Sequence, residues 1–352
     1  MSANIIGCLL VGSVPLANNE GVFRKCLASM PSRVKRLPDG ETGKRFMFTL
    51  WQSAVFQAAP EMLLNYALDS EARSRMITEE EVDKIVAKLE KAGIETEYDT
   101  AAIESYAVFK KLRNEGVIPW GVRFQVGLPT AGNVVPVFIE KAFQAKVWPL
   151  YEQALFRAMR NIQDKIPHHD LAIQLDLALE SAFWEGQFLR PAFADTHNVK
   201  DFVSDYILRM IEQIDQDVEL GIHNCYGDIE HKHFFEPKSL QAVVDRGLVL
   251  FERSSHPINF FHAPVPVSAM GFLDEYFAPL KQILPNLKEH ATELYLGVVQ
   301  YDDLEGTKKR IEAASRVVPE FGVATECGWG RTPVEQLDGI MKLTSQVCGP
   351  VV

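Results

Sequence analysis

Short apolar runs alternate with longer amphipathic segments along most of this chain. Eight runs have the length and composition of strands, and they cover residues 5–12, 33–37, 121–126, 171–177, 218–223, 258–262, 293–298 and 321–325. The first and the seventh are almost continuously apolar, as parallel strands are when both faces are buried. Segments with helical spacing lie between the runs. The alternation therefore predicts repeated βα units.

The strand count depends on how residues 237–254 fold. Five apolar residues of this segment fall on one face of a helix, and they are Leu240, Val243, Val244, Leu248 and Phe251. Pro237 suits a first helical turn and Pro257 suits a stop after the helix. We therefore predict a helix at 237–254 and the next strand at 258–262. Eight units favour a single-domain α/β fold over residues 1–352, a (β/α)8 TIM barrel, with a doubly wound open sheet as the alternative.

Residues 46–115 do not follow the rhythm of the βα units. The stretch is long, helical in pattern and charged, and residues 79–90 are dense in Glu and Lys. We predict a helical insertion after the second strand. It forms either a lid over the barrel mouth or a solvated outer layer.

Composition narrows the classes of partner. The net charge is −11 and no block of Lys and Arg is present, which argues against binding to nucleic acid or to an anionic membrane. No apolar run approaches the roughly 20 residues of a membrane span, and the first run lacks the flanks of a secretory signal. The five cysteines are odd in number and widely spaced, so we expect reduced thiols and a cytoplasmic protein.

Several side chains with metal-binding chemistry follow the predicted strands. His223 and Cys225 are two residues apart after the fifth run, so both point to the same side. Cys327 follows the eighth run and His262 ends the sixth. Because the active site of such a barrel lies at the carboxyl ends of its strands, these four predict a His2Cys2 zinc site. Glu252 is the substitute fourth ligand if residues 237–254 are not a helix, and buried packing of the thiols is the alternative for the whole set.

Other polar residues near strand ends are candidate substrate contacts. They are Asp39, Glu41, Gln125, Glu326, Trp329 and Arg331. Arg331 can clamp a carboxylate through two hydrogen bonds or pair with a surface acid. His231 and His233, in the loop after the fifth run, are either further contacts or a solvated pair.

Four motifs together resemble the catalytic domain of cobalamin-independent methionine synthase. They are Gly12-Ser13-Val14-Pro15, Ile173-Gln174-Leu175-Asp176, His223-x-Cys225 and Glu326-Cys327-Gly328. The resemblance extends from residue 5 to about residue 345. It places the chain in the wider superfamily that also contains uroporphyrinogen decarboxylase.

The resemblance implies a zinc ion that binds the thiol of homocysteine. His223, Cys225 and Cys327 match three of the family's ligands, and the family's glutamate falls on His262 or on Glu252. Ser13 and Asp176 match the residues that hold the amino acid backbone of homocysteine. The chain departs from the family after Asp176, where it continues Leu177-Ala178-Leu179, and after Cys327, where it continues Gly328-Trp329-Gly330. We therefore expect a divergent relative with another small-molecule substrate.

The leading hypothesis is zinc-dependent transfer of a methyl or alkyl group to a thiol, with Asp176 and His223 as catalytic residues. The same ligands would also serve Lewis-acid zinc chemistry on a carbonyl or epoxide. A second hypothesis is a metal-independent lyase or decarboxylase in which Asp176, His223 and Arg331 transfer protons and bind a carboxylate. A third is a barrel that only binds a small molecule or a partner. Exposed barrel helices often pair, so a homodimer is an open option.

Overall fold

The computed structural model describes residues 3–64, 77–187, 191–194, 198–227 and 232–351. Eight strands overlap the eight predicted runs, and they are β1 (Asn4–Cys8), β2 (Arg36–Pro38), β3 (Arg123–Pro129), β4 (Leu171–Leu177), β5 (Glu219–Asn224), β6 (Phe260–Pro264), β7 (Glu293–Val299) and β8 (Glu320–Thr325). All neighbouring strands are parallel, in the order β1-β8-β7-β6-β5-β4-β3-β2. The order steps by one strand at a time, unlike the order of a doubly wound sheet.

The two ends of the sheet approach each other. An isolated parallel bridge joins Cys8 at the end of β1 to Val34 just before β2. The amide of Cys8 donates to the carbonyl of Arg33 over 2.8 Å. The curled sheet and the helices around it form a TIM-barrel-like α/β fold, as predicted.

The helices lie mainly between successive strands. They are α1 (Asn19–Ser29), α2 (Glu79–Ala92), α3 (Tyr98–Asn114), α4 (Val135–Phe138), α5 (Lys141–Lys165), α6 (Leu179–Trp184), α7 (Val199–Ile211), α8 (Gln241–Arg253), α9 (Leu273–Phe277), α10 (Leu280–Glu289), α11 (Leu304–Ser315) and α12 (Leu337–Val347). Helix α8 confirms the helix predicted at 237–254, with a later start. No helix in the described part of the chain is both long and apolar enough to cross a membrane.

The segment between β2 and β3 holds short 3-10 turns followed by α2 and α3. Helix α3 packs against α1, α5 and β3, which is the place of an ordinary barrel helix between the second and third strands. Helix α2 packs against α5. Residues 65–76 of this segment lie outside the described residues. The insertion over 46–115 therefore stays a prediction, and α3 within it belongs to the outer helix layer.

An ionic cluster fills the amino ends of the strands. Arg36, at the start of β2, is 4% exposed. Its Nε lies 2.6 Å from a carboxylate oxygen of Glu219 in β5, and its Nη1 lies 2.8 Å from one of Glu293 in β7. A buried cation needs such partners, because an unpaired charge in the interior is costly. The cluster closes the end of the barrel away from the predicted site.

Close packing in the barrel interior requires glycine at Gly221. A Cβ on Gly221 in β5 would lie 1.9 Å from the ring of Phe260 in β6, which fills the space beside it. The interior here also contains Ala172, Tyr295 and Ala324. Small residues on some strands thus make room for aromatic rings from others.

Candidate functional site

Three of the predicted metal ligands meet at the carboxyl ends of the strands. The ligand atoms of His223, Cys225 and Cys327 all lie within 4.8 Å of one another. The Sγ atoms of Cys225 and Cys327 are 3.7 Å apart. Two thiolates on one tetrahedral zinc ion, each about 2.3 Å from the metal, are separated by about 3.8 Å. The donor set therefore fits three zinc ligands in type and spacing, with the fourth position left for water or substrate.

One nitrogen donor contacts each of the two sulfur atoms. The amide of Gly227 donates to Cys225 Sγ over 3.3 Å, and Nη2 of Arg331 lies 3.6 Å from Cys327 Sγ. The contact with Cys327 and burial raise the pKa of Cys225 well above its ordinary value. A metal ion would reverse that shift, because a coordinating thiol loses its proton to the cation.

His262 lies behind His223 and outside the three-residue group. The two Nδ1 atoms are 2.8 Å apart, and His262 Nε2 lies 3.1 Å from the carbonyl of Thr325. Both ring nitrogens of His262 therefore already have partners within the protein. Glu252 is on an exposed face of α8, away from this group. Neither candidate for the fourth ligand is brought to the other three.

The hydrogen bonds fix the protons of both imidazoles. Burial, with His262 adding to it, lowers the pKa of His223 well below its ordinary value, and burial lowers that of His262 to about 4. Both rings are therefore neutral at pH 7. The carbonyl of Thr325 only accepts, so His262 carries its proton on Nε2, and its Nδ1 accepts from Nδ1 of His223. His262 Nδ1 also lies 3.3 Å from the carbonyl oxygen of Asn224. With this assignment neither of these two atoms carries a proton, so the contact is not a hydrogen bond. The assignment also leaves the lone pair of His223 on Nε2, the form that binds a metal ion.

A cavity of about 270 Å³ opens in front of the three donors. Ser13, Glu41, Asp176 and Arg331 line it, as expected for substrate contacts. Much of the remaining wall is apolar, and it includes Val11, Met47, Phe48, Leu50, Val137, Ala178, Leu179 and Phe234. The cavity combines one imidazole, two thiols, two carboxyls and one guanidinium with an apolar wall.

Two carboxyl groups approach each other across Gly127. A Cβ at this position in β3 would lie 3.1 Å from Oδ2 of Asp176 and 3.4 Å from Oε1 of Glu41, so glycine leaves room for both. Burial raises the pKa of Asp176 well above its ordinary value, and Glu41 adds to the shift. Burial raises the pKa of Glu41 to about 7, against the opposing effect of Arg45 and Arg331. Carboxyls with such pKa values can hold and release a proton near neutral pH.

Asn133 is a site residue that the sequence reasoning missed. It follows β3, and its Nδ2 donates to the carbonyl of Asp176 over 3.0 Å while its Oδ1 accepts from the amide of Leu179 over 3.0 Å. It therefore holds the chain where β4 ends. Its place just after a strand was the available signal, because polar residues at that end of the barrel form the site.

Three predicted substrate contacts are used inside the protein. Asp39 accepts hydrogen bonds from Arg45 and Ser105, each over 2.6 Å. Gln125 donates to the carbonyl of Leu10 over 2.9 Å, within the barrel. The indole of Trp329 donates to Thr325 Oγ1 over 2.8 Å. None of the three lines this cavity, although Trp329 lines a second one beside Cys327, so their role in substrate binding stays a prediction.

A second cavity of about 390 Å³ lies on the other side of Cys327. Glu326 lines it together with His233, whose Nε2 is 2.9 Å from Glu326 Oε1 and whose Nδ1 is 3.0 Å from Glu236 Oε1. Burial lowers the pKa of His233, but the two carboxylates outweigh it and raise the pKa to about 9. His231 lies outside the described residues.

Comparisons with known proteins leave the family open. No family model matches the chain, and no curated protein matches it. Among solved structures, one with a provisional assignment as an α-L-fucosidase from Bacteroides thetaiotaomicron is similar over 99% of this chain and 98% of its own, with 11% identity and a TM-score of 0.30. A likeness at that level supports no conclusion about activity.

Proposed function

We propose that this protein is a zinc-dependent enzyme, a divergent methionine-synthase-like transferase that moves a methyl or alkyl group to a small-molecule thiol. The observation that carries the proposal is the group formed by His223, Cys225 and Cys327, which borders a cavity at the mouth of the barrel. When bound, zinc lowers the pKa of a thiol and keeps it nucleophilic as a thiolate near neutral pH.

The ligands and their neighbours have separate roles in this proposal. Cys225, Cys327 and Nε2 of His223 would hold the metal ion. His262 is a positioning residue, because its Nδ1 accepts the proton of His223 and so keeps the lone pair of His223 on Nε2. Such outer partners orient a ligand and raise its basicity.

The carboxyl pair supplies the proton that the reaction requires. As the substrate sulfur forms its bond to the alkyl carbon, the bond from that carbon to the donor's leaving atom breaks. The leaving atom then takes up a proton. Asp176 and Glu41 line the same cavity and favour their protonated forms, so either can donate it.

The segment after β2 covers part of the cavity. Met47, Phe48 and Leu50 belong to its wall, and all three fall within the predicted insertion over 46–115. Their position supports the lid predicted for that segment.

Metal analysis of the purified, reduced protein tests the proposal. We expect about one zinc ion per chain and its loss in Cys225→Ser. Cys26→Ser is the matched control, because Cys26 is also a fully buried free thiol but lies in α1. The proposal is wrong if the unchanged protein holds only a trace of metal and Cys225→Ser keeps full activity.

A metal-independent lyase or decarboxylase is the second candidate. The observation that favours it is that Asp176, His223 and Arg331 line one cavity, which would place a proton donor beside a carboxylate-binding group. Turnover that is unchanged after chelator treatment would support the lyase. Turnover that is lost and then restored by zinc supports the transferase or Lewis-acid chemistry on a carbonyl or epoxide.

A further inference from the structure

We infer that the substrate thiol carries an apolar body. Its body would pack against an apolar wall, which we define as Met47, Phe48, Leu50, Val137 and Leu179. This inference rests on the proposed function and names the substrate class of the same site. The resemblance implies an amino acid thiol, so the inference departs from it.

Backbone strain shows that the loop is held in place against the cavity. Glu41 and Phe48 have φ values of 49° and 54°, in the left-handed region that bulky residues rarely occupy. Both residues line the cavity. Such strain persists only where the surrounding structure enforces it, and it is concentrated at functional sites.

Contacts on two sides enforce this conformation. Thr49 Oγ1 donates to the carbonyl of Asn133 over 3.2 Å, which ties the loop to the end of β3. On the other side, a Cβ on Gly330 would lie 2.3 Å from the carbonyl oxygen of Phe46, so glycine allows the loop after β8 to approach closely. The apolar wall is therefore a fixed surface between two anchors.

Two polar side chains beside the cavity are already engaged within the protein. The amide of Asn133 is engaged with the ends of β4 and α6, and Ser13 Oγ accepts from the amide of Gly330 over 3.1 Å. A charged group placed against Met47, Phe48, Leu50, Val137 and Leu179 would lose its water without gaining a polar partner, so this wall favours an apolar body.

Part of the apolar wall is exposed to solvent and would be buried by a bound substrate. Leu50 is 48% exposed although it borders the cavity. Each methylene buried on such a surface strengthens binding about fourfold. The dissociation constants of a homologous series of thiols therefore measure how much the apolar wall contributes to binding.

The test is calorimetric titration of the zinc-loaded protein, kept reduced, with ethanethiol, propanethiol, butanethiol and homocysteine. We expect the dissociation constant to fall about fourfold for each added methylene, and butanethiol to bind more tightly than homocysteine. A flat series, or homocysteine binding as tightly as butanethiol, overturns the inference and leaves the proposed function standing. If none of the thiols binds, the proposed function fails as well.

Two variants locate the effect. In Leu50→Asp, we expect the gain per methylene to fall below about twofold, because a charge replaces part of the wall. Val267→Asp is the matched control, since Val267 is 56% exposed but borders the second cavity, and it should keep the full gain. Equal losses in the two variants would overturn the assignment of the wall. The series with the unchanged protein decides the inference if either variant does not fold.

Discussion

Replacement of His262 tests how the metal-binding group is held. The ring accepts the Nδ1 proton of His223 over 2.8 Å, and both imidazoles are buried. In His262→Phe a ring still fills the space, but the proton of His223 has lost its acceptor. A buried hydrogen bond contributes about 0.5–1.5 kcal/mol, and an unsatisfied buried donor costs about 1–3 kcal/mol. Loss of an outer partner lowers metal affinity about 10- to 100-fold, or about 1.4–2.7 kcal/mol, which agrees with that range.

Competition with a chromogenic chelator measures the zinc affinity of each variant. We expect His262→Phe to lose about 10- to 100-fold, and His262→Gln to recover part of the loss because its amide oxygen can accept. His256→Phe is the matched control. That histidine is also buried, but it contacts the carbonyls of Pro257 and Asp215, and its replacement should leave zinc affinity unchanged.

Two outcomes would refute this reasoning. If His262→Phe binds zinc within about twofold of the unchanged protein, His262 does not position His223. If His256→Phe loses as much affinity as His262→Phe, the loss reflects general destabilisation. Thermal unfolding of the metal-free variants separates the two effects.

Three further predictions concern stability. Arg36→Met should lower the free energy of unfolding by about 1–3 kcal/mol, because the half-buried carboxylates of Glu219 and Glu293 lose their contacts with a buried guanidinium. Arg123 and Lys35 still pair with these carboxylates, which limits the loss. Arg316→Met removes only exposed ion pairs and should cost less than about 1 kcal/mol in the same denaturant titration. The raised pKa of His233, about 9, contributes stability that is fully present below about pH 6.5 and lost as pH rises through 9. His233→Gln should therefore lower the melting temperature at pH 6 but not at pH 10, and an equal loss at both would contradict the ion pairs. Gly221→Ala should cost about 1–3 kcal/mol or more by overpacking, whereas Gly271→Ala, with open space at its Cβ, should be nearly neutral; equal effects on chemical unfolding would contradict the packing.

The repeating units were predictable from local pattern. Parallel strands buried on both faces need continuous apolar runs, and each predicted run overlaps a strand. The exact ends were less predictable, because pairing with a neighbour decides them. Strand β3 runs on to Pro129, where it still pairs with Asp176 of β4, although the apolar run stops at residue 126.

The role of His262 depended on register, which the sequence does not show. His223 and His262 are direct partners across β5 and β6, so their rings lie side by side and contact each other. Counting residues to a strand end could place His262 at the correct rim but could not distinguish a ligand from a neighbour of a ligand. Cys327 was better constrained, since it follows β8 in a loop that returns to Cys225.

The apolar wall was the hardest part to predict. Most of it comes from the loop after β2, where apolar residues do not recur at the regular spacing of a helix or a strand. The left-handed backbone at Phe48 has no sequence signal, because glycine or asparagine is the usual residue there. Such a wall is defined by tertiary anchors that only coordinates reveal.

Strand β5 begins at Glu219 and carries His223 one residue before its other end, with Gly221 between them. Glu219 belongs to the ionic cluster and His223 to the proposed zinc site. Side chains at the carboxyl end of this strand can therefore be varied to accept new substrates while Glu219 at its amino end stays unchanged. In directed evolution, stabilising substitutions could first be introduced at the amino ends of the strands. Residues that line the cavity at the carboxyl ends could then be varied.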